Sequence, residues 1–137
     1  MGRLALVSNP KGMQFATWME HVGASPVRGE VTVREPRYVV QDIDMTKAER
    51  WVYVDPAKST PAGRTGVQDF LFTTPIDQPP MQRCGKVVFS DMHVSSGSTS
   101  ATGSAFPSGC SQTPLSPQEK ALAFIFFDIS SCVGPIL

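Results

Sequence analysis

The alternation of hydrophobic and polar residues divides the chain into several short strands and two helices. Runs of β-branched and aromatic residues that end at Pro, Gly, Asn or Asp are typical of strands. In one of these runs Phe70 and Phe72 fall on one face and Leu71 on the other. The pattern predicts strands over residues 4–7, 30–33, 37–40, 51–54, 67–73 and 86–90.

The first helix is predicted over residues 13–22. Gly23 follows as a natural C-terminal stop. Four large apolar residues are spaced at i, i+3, i+4 and i+7, which places them on one helical face; they are Phe15, Trp18, Met19 and Val22.

The second helix is predicted over residues 117–131, and its start has the clearest local signature in the chain. Ser116 is suited to the N-cap, Pro117 to the first helical position, and Glu119 completes a capping box. The body, residues 121–129, is apolar nearly all round. We therefore expect this helix to be sandwiched between the sheet and a second apolar surface.

The run over residues 86–90 is predicted to be a central strand. Its β-branched and aromatic residues 87–89 suit a strand buried on both faces. If the strand is parallel to its neighbours, Asp91 and His93 project together from its C-terminal edge. Open α/β sheets usually bind ligands at that edge.

Composition and charge fit a single globular domain and exclude two kinds of partner. The chain has 137 residues, of which 41% are hydrophobic. Twelve basic residues balance twelve acidic ones without a run of Lys or Arg, so we expect no nucleic-acid partner. No apolar stretch approaches the roughly 20 residues of a membrane span, and no signal peptide is recognisable.

Asp91, His93 and Ser95 are the candidate catalytic residues. In a small hydrolase His93 would act as base, Asp91 or Asp69 would orient it, and a serine of the following loop would attack. That loop, residues 95–113, is rich in Ser, Gly and Thr but contains no Gly-x-Ser-x-Gly elbow. Most of its serines are therefore expected to be solvated.

A metal site is a variant of this hypothesis. Asp91 and His93 could share a divalent ion, but a protein site usually needs a third ligand. His21, the only other histidine, has no spacing that recruits it. We predict no metal and no cofactor.

The order of the predicted strands and helices resembles that of a known protein family. Residues 4–22, the β-rich segments after them, and a strand that ends at His93 before a closing helix resemble the C-terminal part of a class I glutamine amidotransferase-like domain, which is flavodoxin-like and three-layered. In that family a late strand delivers the catalytic histidine as Phe-His-Pro-Glu, which matches residues 92–95 here. Residues 84–91 and 127–132 are also similar to segments of uncharacterised domains in large secreted or surface-anchored bacterial proteins. The resemblance implies an α/β mixed sheet with flanking helices, and a secreted or cell-surface location.

The catalytic residues of that family are only partly matched. Its triad needs a cysteine on a sharp strand-to-helix elbow, a histidine and an orienting carboxylate. This chain has no such elbow, and Ser95 stands where the glutamate would be. The resemblance therefore implies a partial member that has lost its hydrolytic chemistry. We expect a non-catalytic binding or assembly module, and the alternative is a small esterase- or amidase-like hydrolase.

The apolar final helix and an uncovered sheet edge predict a partner. An open edge presents unpaired backbone groups, and exposed Phe and Ile side chains favour burial. Self-association would cover both, as would a missing upstream segment or a partner chain. We therefore expect a homo-oligomer or one of these two alternatives.

The pairing of the three cysteines would show where the loop at residues 95–113 lies relative to the sheet. Cys84 precedes the predicted central strand, and Cys132 follows the helix that is expected to return antiparallel to it. These two should therefore lie near the same end of the sheet, which leaves Cys110 as the odd thiol. The loop is nevertheless long enough to bring Cys110 to either partner. A bridge is expected if the protein is exported, as the resemblance implies; in a reducing cytosol all three would be small apolar residues.

Overall fold

A computed structural model describes residues 2–4, 11–94 and 114–130, the first of these ranges by its backbone alone. Within these residues the protein combines one sheet with two α-helices. The strands are β1 (Gly2–Leu4), β2 (Glu30–Val31), β3 (Ala48–Val54), β4 (Gly66–Thr74) and β5 (Gly85–Ser90). The helices are α1 (Gly12–His21) and α2 (Pro117–Ser130). The predicted mixed α/β content is confirmed.

The sheet has five strands in the order β2-β1-β3-β4-β5, and each described pairing is antiparallel. The prediction that the first strand and the runs at residues 67–73 and 86–90 share one sheet is confirmed for the described residues. The predicted position of β5 is wrong. Among the described residues β5 lies at the edge of the sheet, because its only strand neighbour there is β4, to which it runs antiparallel.

The register of β4 and β5 separates their side chains onto two faces. Phe70 lies opposite Phe89, Leu71 opposite Val88, and the aromatic rings of Phe70 and Phe89 stack with centroids 4.9 Å apart. Leu71 and Val88 join the core beneath the helices. Phe70 and Phe89 therefore lie on the opposite, helix-free face of the sheet.

The core lies between the sheet and both helices. Trp51 of β3 contacts Phe15 of α1 and Phe124 of α2, with ring centroids 5.4 Å and 5.8 Å away. Phe15 and Met19 are fully buried, and burial of such a side chain contributes roughly 1.5–3 kcal/mol. The described part of the protein is thus two-layered, with one sheet and one layer of helices.

Helix α1 follows the predicted apolar stripe. Phe15 and Met19 are in the core, while Trp18 and Val22 pack against it. The helix ends before Gly23, whose φ of +66° is a left-handed conformation that favours glycine.

Helix α2 begins with the predicted capping box. Glu119 N–H donates to Ser116 Oγ at 3.2 Å, and Ser116 N–H donates to Glu119 Oε2 at 2.7 Å. The described part of the chain does not supply the second apolar surface that is expected to cover this helix. Phe126 and Phe127 remain 61% and 68% exposed, because only one face of the helix meets the core.

The run at residues 37–40 was predicted to be a strand and is not one. It nevertheless lies beside the start of β4, where Val67 N–H donates to Val40 O at 2.8 Å. Cys84 is exposed and its thiol is free, and its expected proximity to Cys132 stays a prediction. Cys110 and Cys132 lie outside the described residues.

Candidate functional site

His93 lies three residues beyond β5 and pairs with a carboxylate. Its Nδ1 is 2.8 Å from Glu35 Oε2, and its side chain is 45% exposed. As a residue at the expected ligand edge of the sheet, His93 is predicted to be partly exposed and hydrogen-bonded to a carboxylate or hydroxyl, and both features are confirmed. The carboxylate, however, is Glu35, which the sequence pattern does not predict.

Glu35 is held in an unusual backbone conformation. Its φ of +49° lies in the left-handed region, which residues other than glycine seldom occupy. Such conformations persist where the surroundings determine them, and they are enriched at functional sites. The surroundings here are two buried glutamines, which bind the backbone on either side of Glu35.

Gln118 of α2 binds the residue before Glu35. Its Oε1 accepts from Arg34 N–H at 2.7 Å, and its Nε2 donates to Arg34 O at 3.2 Å. The same Nε2 donates to His93 O at 3.1 Å. One side-chain amide thus joins α2 to the backbone of His93 and to that of Arg34, the residue before Glu35.

Gln68 of β4 binds the segment on the other side. Its Oε1 accepts from Arg37 N–H at 3.2 Å, and its Nε2 donates to Arg37 O at 2.6 Å. Gln68 is fully buried, and its own carbonyl accepts from Asp91 N–H at 2.7 Å. The only sequence signal for this role is a glutamine that stands beside Asp69 within a run of large apolar residues.

The predicted catalytic set is not assembled among the described residues. His93 makes no hydrogen bond to Asp91 or Asp69 there, and Asp91 Oδ2 is buried without a partner. Because the sheet is antiparallel, Asp91 and His93 do not lie at the parallel-strand edge on which the hypothesis was based. Ser95 lies outside the described residues.

Asp69 is a buried carboxyl on the core side of β4. Neither of its oxygens has a hydrogen-bond partner of ordinary geometry among the described residues. Burial raises the pKa of Asp69 to about 7; a polar contact with Ser90 opposes the rise, and the charge of Asp91 adds to it. A carboxyl with this pKa is neutral in mild acid and ionised above neutral pH.

Asp128 of α2 faces the same interior but is ion-paired. It accepts from Lys86 Nζ at 3.1 Å and from Lys11 Nζ. Burial raises the pKa of Asp128, but the two lysines outweigh burial and hold it below its ordinary value. Asp69 and Asp128 both line a cavity of about 10 Å³, which is the space of one water molecule. The cavity is too small for a substrate.

The helix-free face of the sheet carries an aromatic patch, which consists of Phe70, Phe72, Val87 and Phe89. Phe70 stacks on Phe89, and the ring centroid of Phe72 is 6.3 Å from that of Phe70. Val87 lies opposite Phe72 and is 40% exposed. The patch thus extends to the outer edge of β5.

Three further observations bear on function. Searches against protein-family models, curated proteins and solved structures found no match. Within residues 11–94 and 114–130, no three His, Cys, Asp or Glu side chains are grouped so that they could hold a metal ion. Neither of the described helices is long and apolar enough to cross a bilayer.

Proposed function

We propose that this chain is a non-catalytic assembly module of a secreted or surface bacterial protein, and that it pairs with a second copy of itself along β5. The observation that carries the proposal is the aromatic patch, which reaches the edge of the sheet. An apolar patch beside an open strand edge favours association, because one contact buries both.

The outer edge of β5 lacks the usual protection against pairing. Among the described residues β5 has a strand neighbour on one side only, and it contains no proline. Its pairing with β4 is regular over six residues, without a bulge. Its one lysine, Lys86, is directed at Asp128 rather than outward. Proline, bulges and outward lysines are the devices that natural edge strands use to block such pairing.

The β5 sequence is self-complementary in an antiparallel register centred on Val88. Residues that face each other across antiparallel strands lie on the same face. In this register Val87 lies opposite Phe89 of the second copy, and Lys86 lies opposite Ser90 of the second copy. No like charges meet, and the two aromatic patches become continuous on one face.

The origin of the module is part of the same proposal. The mixed α/β content and a histidine just after a strand support descent from the C-terminal part of an amidotransferase-like, flavodoxin-like three-layer domain. The antiparallel pairing of the described strands argues for extensive remodelling since then. The absence of a cysteine elbow from the sequence supports loss of the chemistry.

The test is the oligomeric state of Val87→Lys by sedimentation equilibrium. The parent chain is expected to dimerise reversibly, and the variant to dissociate at least about tenfold more readily, since burial of each valine contributes roughly 1.5 kcal/mol or more. Val27→Lys is the matched control, because Val27 is 56% exposed and lies in the turn before β2, and β2 and β5 are at opposite ends of the strand order. A parent chain that stays monomeric at high concentration would contradict the proposal.

The second candidate is a small hydrolase of the esterase or amidase type, with His93 as base. The contact of 2.8 Å between His93 and Glu35 favours it, because a carboxylate can orient a catalytic imidazole. In this version Glu35 replaces Asp91 and Asp69 as the orienting group, and a loop serine such as Ser95 remains the proposed nucleophile.

Turnover of p-nitrophenyl acetate tests this candidate. His93→Ala is expected to abolish turnover above the buffer rate, whereas His21→Ala, on the exposed face of α1, is expected to preserve it. Equal rates in the two variants, or no turnover by the parent chain, would remove the hydrolase from consideration.

A further inference from the structure

A cleft of about 410 Å³ lies on the helix-free side of the sheet, away from β5. Its walls come from β3, the start of β4 and the segment around residue 41. Arg50 lies opposite Phe70 in the sheet register, which places the cleft on the helix-free face. Its volume is within the range of small-molecule sites, about 300–1,000 Å³.

Arg50 is the distinctive group in this cleft. Its guanidinium carbon lies 4.0 Å above the ring centroid of Tyr53, so that the ring fixes its position. Its Nε is buried and has no hydrogen-bond partner, and no carboxylate pairs with Arg50 within the described part of the chain. A partly buried, positioned and unpaired guanidinium is costly unless a ligand completes its hydrogen bonds.

The remaining lining selects the charge and shape of the ligand. Tyr53, Val54 and Val67 supply apolar wall, while Gln41 and Asp42 supply polar groups. The planar fork of a guanidinium matches the two oxygens of a carboxylate. Asp42 disfavours a second negative charge in the same cleft, so a monoanion is preferred to a phosphate dianion.

We infer that the cleft binds a small monocarboxylate with an apolar body, and that Arg50 holds its carboxylate. The inference goes beyond self-association and does not depend on it, because β5 contributes no residue to the cleft. A titration performed on both the parent chain and Val87→Lys therefore separates the two proposals.

The experiment is a titration with phenylacetate followed by ¹H–¹⁵N NMR. We expect saturable shifts at the cleft residues and at the Arg50 Nε–H signal. Arg50→Gln is expected to weaken binding by at least about tenfold, the effect of losing a charge-assisted pair. Arg64→Gln is the matched control, since Arg64 stacks on Tyr38 at 3.9 Å in the same way but does not line the cleft. This control should bind within about twofold of the parent.

Two related ligands test the carboxylate assignment. The neutral alcohol 2-phenylethanol and the dianion phenyl phosphate should both bind more weakly than phenylacetate. Asp42→Asn should tighten phenylacetate binding and reduce the discrimination against phenyl phosphate, and this variant keeps the test open if Arg50→Gln fails to fold. Absence of saturable shifts, equal binding by Arg50→Gln, or equal binding of the alcohol would overturn the inference.

Discussion

The buried carboxyl of Asp69 makes the stability of the protein depend on pH. Its pKa of about 7 in the folded chain exceeds the ordinary value of 3.8, so the folded state binds this proton more tightly than the unfolded state does. The free energy of unfolding should therefore fall as the pH rises from about 4 to about 7, by up to roughly 1.4 kcal/mol per pH unit. Urea unfolding across this pH range measures the slope.

Asp69→Asn provides the comparison for that slope. The amide cannot ionise, so the variant should lose the Asp69 part of the slope and be more stable than the parent above pH 7. The lowered pKa of Asp128 acts in the opposite sense, because its stabilisation is lost as the pH falls below its ordinary value of 3.8. An unchanged slope in Asp69→Asn would show that Asp69 is not the titrating group.

Asp128 provides a second prediction at the residue scale. It is 7% exposed and accepts from Lys11 and Lys86, so Asp128→Asn removes a charge that both lysines use. We expect a loss of about 1–3 kcal/mol in the free energy of unfolding, less than for a fully buried pair because Lys11 is partly exposed. Glu20→Gln, in an exposed pair with Arg28, should change it by less than about 0.5 kcal/mol. Chemical denaturation of both variants measures the difference.

At the scale of elements, the start of α2 depends on its capping box. Ser116→Ala removes the Oγ that accepts from Glu119 N–H, and should cost about 0.5–2 kcal/mol. Ser130→Ala is the control at the other end of α2, where the exposed hydroxyl donates only to Phe127 O. Thermal unfolding of the two variants should show a clear shift for the first and almost none for the second.

Local signals predicted the helices well and the sheet less well. The stripe of α1 and the capping box of α2 depend on residues within one or two turns, so the sequence alone locates them. Whether β5 is central or at an edge depends on whether another strand pairs with its second side, and no residue of β5 carries that information. The side chains of this apolar run are half-buried or exposed on both faces of β5, whereas the sequence predicted burial on both faces.

The candidate site was predicted in part for a related reason. The exposure of His93 was expected from a place at the ligand edge of a parallel sheet; the side chain is partly exposed although the described strands are antiparallel. Its partner Glu35 is distant in sequence and is held by Gln68 and Gln118, two residue types with no chemical signature. The contact between His93 and Glu35 depends on these hydrogen bonds from distant side chains to the backbone, so only the tertiary structure determines it.

At the scale of the whole molecule, Gln118 joins three separate parts of the described chain. It connects α2, the segment at Arg34 and the chain after β5. Gln118→Leu leaves these backbone groups without a partner, and should lower the free energy of unfolding by about 1–3 kcal/mol. Gln14→Leu, on the exposed face of α1, should change it by no more than about 0.5 kcal/mol. NMR signals of His93 should also shift in the first variant and not in the second.

The strand order has a consequence for how the chain folds. Strands β3, β4 and β5 are neighbours both in the chain and in the sheet, so their pairing closes only short loops. Strand β1 pairs with β3 at Arg3 and Tyr53, which are 50 positions apart in the sequence. Closing the longer loop costs more chain entropy. The β3–β4–β5 meander should therefore form first, and β1 and β2 should dock last and be the first strands to exchange their amide hydrogens.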